Sequence, residues 1–137
     1  MPVPPISSSW VEKLLHAAAE VSRRAYAPYS KFQVGAALLT HSGEIITGCN
    51  VENASYGLTS CAERNAVFHA IAGGHRRFKA VAIVSSGKRP PYPCGACRQV
   101  LAEFGGPSLL VLFAPRRSLH RYEWGTLAEL LPKSFRL

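Results

Sequence analysis

No aspartate occurs anywhere in the 137 residues; all 8 acidic side chains are glutamates. A Ser-His-Asp triad, an aspartic dyad, an EF-hand loop and the magnesium-binding Asp of a P-loop ATPase each need a residue that the chain lacks. No apolar run approaches the roughly 18 residues of a membrane span, so a soluble protein is expected. The start, Met-Pro-Val-Pro-Pro-Ile-Ser-Ser-Ser, has neither the basic nor the apolar region of a signal peptide, which points to the cytoplasm. Internal repeats and linkers are lacking as well. The expected organisation is one domain over residues 9–137 behind a flexible leader over 1–8.

What is present is an ordinary globular share of apolar residues, 47%, with 16 Lys+Arg for a formal net charge of +8. Disorder is therefore not expected. Basic residues cluster in His75-Arg76-Arg77-Phe78-Lys79, at Lys88-Arg89, and at Arg116, Arg117 and Arg121. None forms the aromatic-interleaved stripe of a nucleic-acid module. They read as solvated loop charges, or as arginines that pair across subunits if the protein is an oligomer.

The pattern along the chain alternates. Ser9 and Glu12 have capping-box spacing, and Val11, Leu14, Leu15, Ala18, Val21 and Ala25 recur at helical intervals up to Pro28. Residues 32–40 and 45–49 read as an antiparallel strand pair around the turn at 41–44. A polar stretch over 50–59 leads to a helix at about 60–72, ended by Gly73-Gly74. A short apolar strand follows at 80–84, then a Pro-rich loop at 89–93 and a helix at about 95–104. Strands at 109–114 and 119–124 are separated by four residues, 115–118, too few for a parallel crossover, so they should pair antiparallel. Thr126 and Glu129 cap a last short helix that Pro132 stops. The expected class is α/β, with about five strands in a mixed sheet and helices on both faces.

Four cysteines stand at 49, 61, 94 and 97. Cys61 opens one predicted helix; Cys94 and Cys97 open the next. A thiolate at a helix N-terminus is favoured by the dipole and by free N–H groups. Two helix ends brought together would gather three thiolates, the donor set of a zinc site that keeps its fourth position for water. Cys94 and Cys97 could instead join Cys49 in a structural site, but such sites usually present two close pairs, and Cys49 and Cys61 do not form one. Cys49 reads as a buried thiol. A redox Cys-x-x-Cys would leave Cys61 and Glu63 unexplained. Ser60-x-x-Glu63 has capping-box spacing, which gives Glu63 a structural alternative.

Cys-x-Glu followed by Pro-Cys-x-x-Cys is the zinc deaminase signature in its three-cysteine form, where the Glu is not a ligand. Asn50-Val51-Glu52-Asn53-Ala54-Ser55-Tyr56, Cys61-Ala62-Glu63-Arg64 and Pro93-Cys94-Gly95-Ala96-Cys97-Arg98-Gln99 together resemble the small cytidine deaminase family. The 12-residue run from Ala27-Pro28-Tyr29-Ser30-Lys31-Phe32 to Gly35-Ala36-Ala37-Leu38, and Glu129-Leu130-Leu131-Pro132, fit it too.

The resemblance implies a three-layer αβα fold whose last two strands are antiparallel. It implies deamination of free cytidine and deoxycytidine at one Zn²⁺ per chain, held by Cys61, Cys94 and Cys97 with water as fourth ligand. Glu63 would act as general base and then general acid. Asn50 and Glu52 would hold the ribose 3′-hydroxyl, Phe32 would stack on the base, and the Ala62 N–H would contact it. Phe135 and Tyr56 would reach a neighbouring subunit's site in a homotetramer. Three thiolates leave the zinc centre negative, and Arg64, with Gln99 fixing it and Arg98 as a further candidate, would draw that charge away. Alternatives are a polynucleotide or tRNA deaminase, an antibiotic-nucleoside deaminase, and a zinc-stabilised RNA-binding module. Polynucleotide relatives tend to have a parallel last strand pair and His as first ligand, which disfavours a nucleic-acid partner. No membrane partner is expected.

Overall fold

The computed structural model describes residues 3–137. Helix α1 (Ser8–Ser22) is followed by β1 (Val34–Thr40), β2 (Ile45–Cys49), α2 (Ala62–Ala72), β3 (Phe78–Ser85), α3 (Gly95–Gly105), β4 (Leu110–Pro115), β5 (Glu123–Thr126) and α4 (Leu127–Leu130). Short 3₁₀ turns stand at Tyr56–Leu58 and Leu119–Arg121. The strands form one sheet in the order β2-β1-β3-β4-β5. β1 is antiparallel to both β2 and β3, β3 is parallel to β4, and β5 returns antiparallel to β4.

Both faces of the sheet are covered, which is why β1, β3 and β4 are near-continuous apolar runs. Ala36, Leu38, Val81, Ile83, Val111 and Phe113 point to the side where α2 and α3 lie. Ala37, Leu39, Ala80, Ala82, Val84, Leu110 and Leu112 point to α1. Leu14, Leu38, Ile83 and Leu112 are sealed from solvent, and each such side chain contributes about 1.5–3 kcal/mol through burial. Two glycines allow the helices to sit this close. A Cβ on Gly35 would lie 2.0 Å from the Ala18 carbonyl oxygen in α1, and one on Gly48 would lie 2.3 Å from the Ala66 nitrogen in α2.

Local boundaries differ from the sequence pattern for identifiable reasons. Ser7, not Ser9, caps α1, accepting from the Trp10 N–H at 3.3 Å. Pro4 is buried and Ile6 packs on the α1 side of the core, within the segment expected to be a leader; residues 1–2 lie outside the described residues. β1 begins at Val34 because side chains hold the two preceding N–H groups, Phe32 by Ser30 Oγ and Gln33 by Ser86 Oγ, each at 3.0 Å. α2 begins at Ala62 because Ser60 is still extended, bridged to Val51, with its hydroxyl on Asn65. The segment 119–121 is a 3₁₀ turn rather than strand, so β5 lies later than expected while keeping the antiparallel sense. Among the described residues no helix is long and apolar enough to cross a membrane.

Candidate active site

α2 and α3 pack on the same face of the sheet, and their N-termini meet at the end where β1 begins and β3 finishes. Cys61 is the N-cap of α2; Cys94 is the N-cap of α3, its sulfur accepting from the Cys97 N–H. The Cys61 and Cys94 sulfurs are 4.0 Å apart, those of Cys94 and Cys97 3.3 Å, and all three lie within 4.8 Å of one another. A tetrahedral zinc bound at about 2.3 Å requires sulfur separations of about 3.8 Å, which these bracket. The donor set fits a zinc ion. Cys49 stays apart from this group, half-buried in β2, where burial raises its pKa.

Charge around the sulfurs is uneven. The Cys97 thiol donates toward Cys61, and the Arg64 Nη2 reaches the same sulfur at 3.2 Å; together they pull the Cys61 pKa down to about 5. Donating to Cys61, with burial, holds Cys97 protonated to higher pH. Glu63, in the first turn of α2, is 5% exposed, and this desolvation pushes its carboxyl up to about 7. A group that exchanges its proton near neutrality suits acid–base work. The capping alternative for Glu63 fails, because the cap of α2 is Cys61 and not Ser60.

A cleft of about 230 Å³ opens over these groups. Cys61, Ala62, Glu63 and Cys94 line it together with Asn50, Glu52 and Phe32. The volume falls below the roughly 300–1,000 Å³ of drug-sized sites, so the occupant is small. Hollows of about 280 Å³ beside Phe135 and about 300 Å³ beside Trp10 do not touch the cysteines.

A family model for the cytidine and deoxycytidylate deaminase zinc-binding region matches residues 8–113. A cytidine deaminase of Sporosarcina psychrophila is 49% identical over 125 residues, 91% of this chain and 90% of that protein. The crystal structure of a cytidine deaminase from Burkholderia pseudomallei superposes with a TM-score of 0.87 at 45% identity, covering 95% of this chain and 100% of that one. One from Mycobacterium tuberculosis gives a TM-score of 0.82 at 43% identity, covering 96% and 100%. The chain belongs to the cytidine and deoxycytidylate deaminase family. The matched region is a zinc-binding one and Cys61, Cys94 and Cys97 within it are placed to hold a metal ion, and the fold is the αβα architecture that the resemblance implied.

Within this deaminase, the remaining expected residues divide. Asn50 is buried, and its amide ties two strands together: Oδ1 accepts from the Val34 N–H at 2.8 Å and Nδ2 donates to the Phe32 carbonyl at 2.9 Å. Glu52 accepts from the Tyr29 and Ser30 N–H groups at 2.9 and 3.1 Å, and from the Ser30 hydroxyl. These bonds lower its pKa, the hydroxyl most. Arg98 is not at the sulfurs. Its Nε donates to the Pro93 carbonyl at 2.7 Å and its Nη1 to the Leu130 carbonyl at 2.6 Å, so it fastens the loop before Cys94 to the end of α4. Gln99 does not fix Arg64 either; its Nε2 donates to the Phe135 carbonyl at 3.3 Å. Tyr56 and Phe135 are 77% and 69% exposed and stand outside this chain's own cleft. Tyr56 meets Tyr29 edge-on, with centroids 6.1 Å apart.

Ser30 and Tyr92 are among the lining residues that went unforeseen. Ser30 stands beside Glu52 in the cleft. Tyr92, in the Pro-rich loop, packs edge-on against Phe113 at 5.0 Å and donates its hydroxyl to Glu123 at 2.8 Å. Both lay inside motifs visible in the sequence, but their partners are far away along the chain. Part of the basic excess also finds work inside the fold. Arg116 donates to Ser22 Oγ at 3.0 Å and Gln33 Oε1 at 3.2 Å, joining α1, β4 and the segment leading into β1.

Proposed function

We propose that this enzyme hydrolyses free cytidine and 2′-deoxycytidine to uridine and 2′-deoxyuridine, releasing ammonia, as a step of pyrimidine salvage in the cytoplasm. The observation that carries the reading is a small cleft lined by Cys61, Cys94, the buried carboxyl of Glu63 and a second carboxylate, Glu52, with the Cys97 sulfur within 4.8 Å of the other two. The relatives' activity as cytidine deaminases supports it.

Cys61, Cys94 and Cys97 would hold the zinc ion, which when bound would lower the pKa of a water toward neutrality and supply a nucleophile at pH 7. Glu63 would take a proton from the attacking water and deliver it to N3 as oxygen bonds to C4, then take the proton of the new C4 hydroxyl and pass it to the amino nitrogen as the C4–N4 bond breaks. One carboxyl acting in both directions needs no aspartate. Its near-neutral pKa, caused by burial, lets it hold and release the proton with little penalty. Arg64 donates to Cys61 Sγ and offsets the negative charge of three thiolates, which would otherwise weaken the metal's pull on water.

Phe32 stacks on the base and the Ala62 N–H, at the start of α2, contacts it. Asn50 and Glu52 receive the ribose 3′-hydroxyl. A carboxylate accepts from hydroxyl groups and repels phosphate, which favours a nucleoside over a nucleotide or a polynucleotide. Phe135 and Tyr56 complete the cleft of a neighbouring subunit in a homotetramer, which accounts for two large aromatics lying exposed on one chain.

The test follows the ultraviolet absorbance of cytidine on mixing with purified protein, with zinc assayed per chain. Loss of the cytidine band with one zinc per chain is expected. Bound zinc with no loss of cytidine refutes the proposal.

A further inference from the structure

The Ser30 hydroxyl stands between the two residues read above as substrate contacts. It donates to Glu52 Oε2 and accepts from the Phe32 N–H at 3.0 Å. A hydroxyl has one proton to give, so here it is committed to the carboxylate, and a lone pair holds the backbone of Phe32. Glu52 Oε1 is already engaged by the Tyr29 and Ser30 N–H groups. The acceptor capacity left for a ligand therefore lies chiefly on Oε2, the oxygen that Ser30 orients.

The backbone around this contact is strained. Lys31, between Ser30 and Phe32, has φ of 59°, a left-handed conformation that side-chain-bearing residues rarely adopt. Such residues persist where their surroundings over-determine them. Here the surroundings are the Lys31 N–H on the Ala27 carbonyl at 3.0 Å and the hydrogen bonds to Glu52 and Ser30 on either side. Ser30 is solvent-exposed in the single chain and lines the cleft, so no packing duty explains it.

We propose that Ser30 is a positioning residue for the deamination. One hydroxyl sets the sugar-binding carboxylate and the base-stacking phenylalanine in a fixed relation, so that ribose and pyrimidine are gripped together. This rests on the reading of Glu52 and Phe32 as nucleoside contacts. Free of this tie, Glu52 Oε2 and the Phe32 segment move independently, and binding weakens without altering the chemistry at Glu63.

The test measures kcat and KM for cytidine with Ser30→Ala, Ser30→Thr, Glu52→Ala and the double variant Ser30→Ala/Glu52→Ala. Ser30→Ala should raise KM about tenfold, as expected for losing a hydrogen bond to a charged group, with kcat within about twofold. Ser30→Thr, which keeps the hydroxyl, should restore KM to within about twofold. The losses in the double variant should be strongly less than additive, because part of the Ser30 effect passes through that carboxylate and the rest through Phe32. An unchanged KM in Ser30→Ala beside an impaired Glu52→Ala overturns the proposal, and so do fully additive losses. An unchanged KM in Glu52→Ala refutes the sugar reading itself. If Ser30→Ala fails to fold, Ser30→Cys serves the same comparison, since a thiol of similar size donates only weakly.

Discussion

Gly48→Ala separates what the sheet does for stability from what it does for catalysis. Gly48 lies in β2 under the first turns of α2. A Cβ there would stand 2.3 Å from the Ala66 nitrogen, 2.8 Å from its Cα and 2.9 Å from the Ala62 carbonyl oxygen, all of them backbone atoms. Ordinary contact begins near 3.4 Å, so α2 must withdraw by about 1 Å, because no flexible side chain can absorb the clash. Overpacking of this kind costs about 1–3 kcal/mol, a fall in Tm of roughly 3–12 °C for a domain of this size. The same helix carries Cys61 at its cap and Glu63 in its first turn. Displacing catalytic groups by about 1 Å costs on the order of 100-fold in rate. Gly35→Ala is the comparison: its Cβ would meet the Ala18 carbonyl oxygen at 2.0 Å, but the helix pushed away is α1, which carries none of the site residues. Thermal unfolding, zinc content and kcat are measured on all three proteins. Both variants should lose Tm, while the zinc-loaded fraction of Gly35→Ala should keep far more of its kcat than Gly48→Ala. Equal kcat losses, or a Gly48→Ala variant with the parent's Tm and rate, would refute the reasoning.

Glu63→Gln should retain zinc and lower kcat by about 10²–10⁴-fold, the usual contribution of a positioned acid–base group; a rate within tenfold of the parent would remove Glu63 from proton transfer. Arg64→Ala should also keep zinc but lose turnover, since the Cys61 sulfur loses its 3.2 Å donor; steady-state kinetics beside metal analysis decide it, and unchanged turnover contradicts the charge argument. Glu52 has its pKa lowered by the Ser30 hydroxyl and by the Ser30 and Tyr29 N–H groups. Its contribution is therefore present above the ordinary carboxylate pKa and lost only as pH falls through the lower folded value, so the ratio of KM in Glu52→Gln to KM in the parent, in which the titration of Glu63 cancels, should stay flat from pH 7 to 5; a ratio that falls toward one across that window counts against an ionised, hydrogen-bonded Glu52.

The convergence of Cys61, Cys94 and Cys97 with Glu63 beside them was legible because their geometry is local. A cysteine at a helix N-cap, a glutamate two positions on, and a second cap with Cys-x-x-Cys spacing are set by helix geometry within a few residues. Continuous apolar runs likewise announced a sheet buried on both faces. The last strand was placed too early, since 119–121 has strand-like composition but folds as a 3₁₀ turn. The cap of α1 slipped from Ser9 to Ser7 because three consecutive serines offer equivalent hydroxyls and local spacing does not choose among them.

The roles of Arg98, Gln99, Asn50, Ser30 and Tyr92 each depend on at least one partner 16 to 36 residues distant, and only chain folding brings those together. Arg98 shows the difference most clearly. Sequence proximity to Cys97 suggested a hydrogen bond to sulfur, yet its guanidinium turns to two carbonyls, at Pro93 and Leu130. Those oxygens need donors wherever the folded chain leaves them, and a planar five-donor fork satisfies two at once. The absence of aspartate shows the complementary limit. Sequence alone determined that any carboxylate used for acid–base chemistry here is a glutamate; which glutamate is buried enough to exchange a proton near pH 7 was decided by the packing of α2 against the sheet, because desolvation is a property of the whole fold.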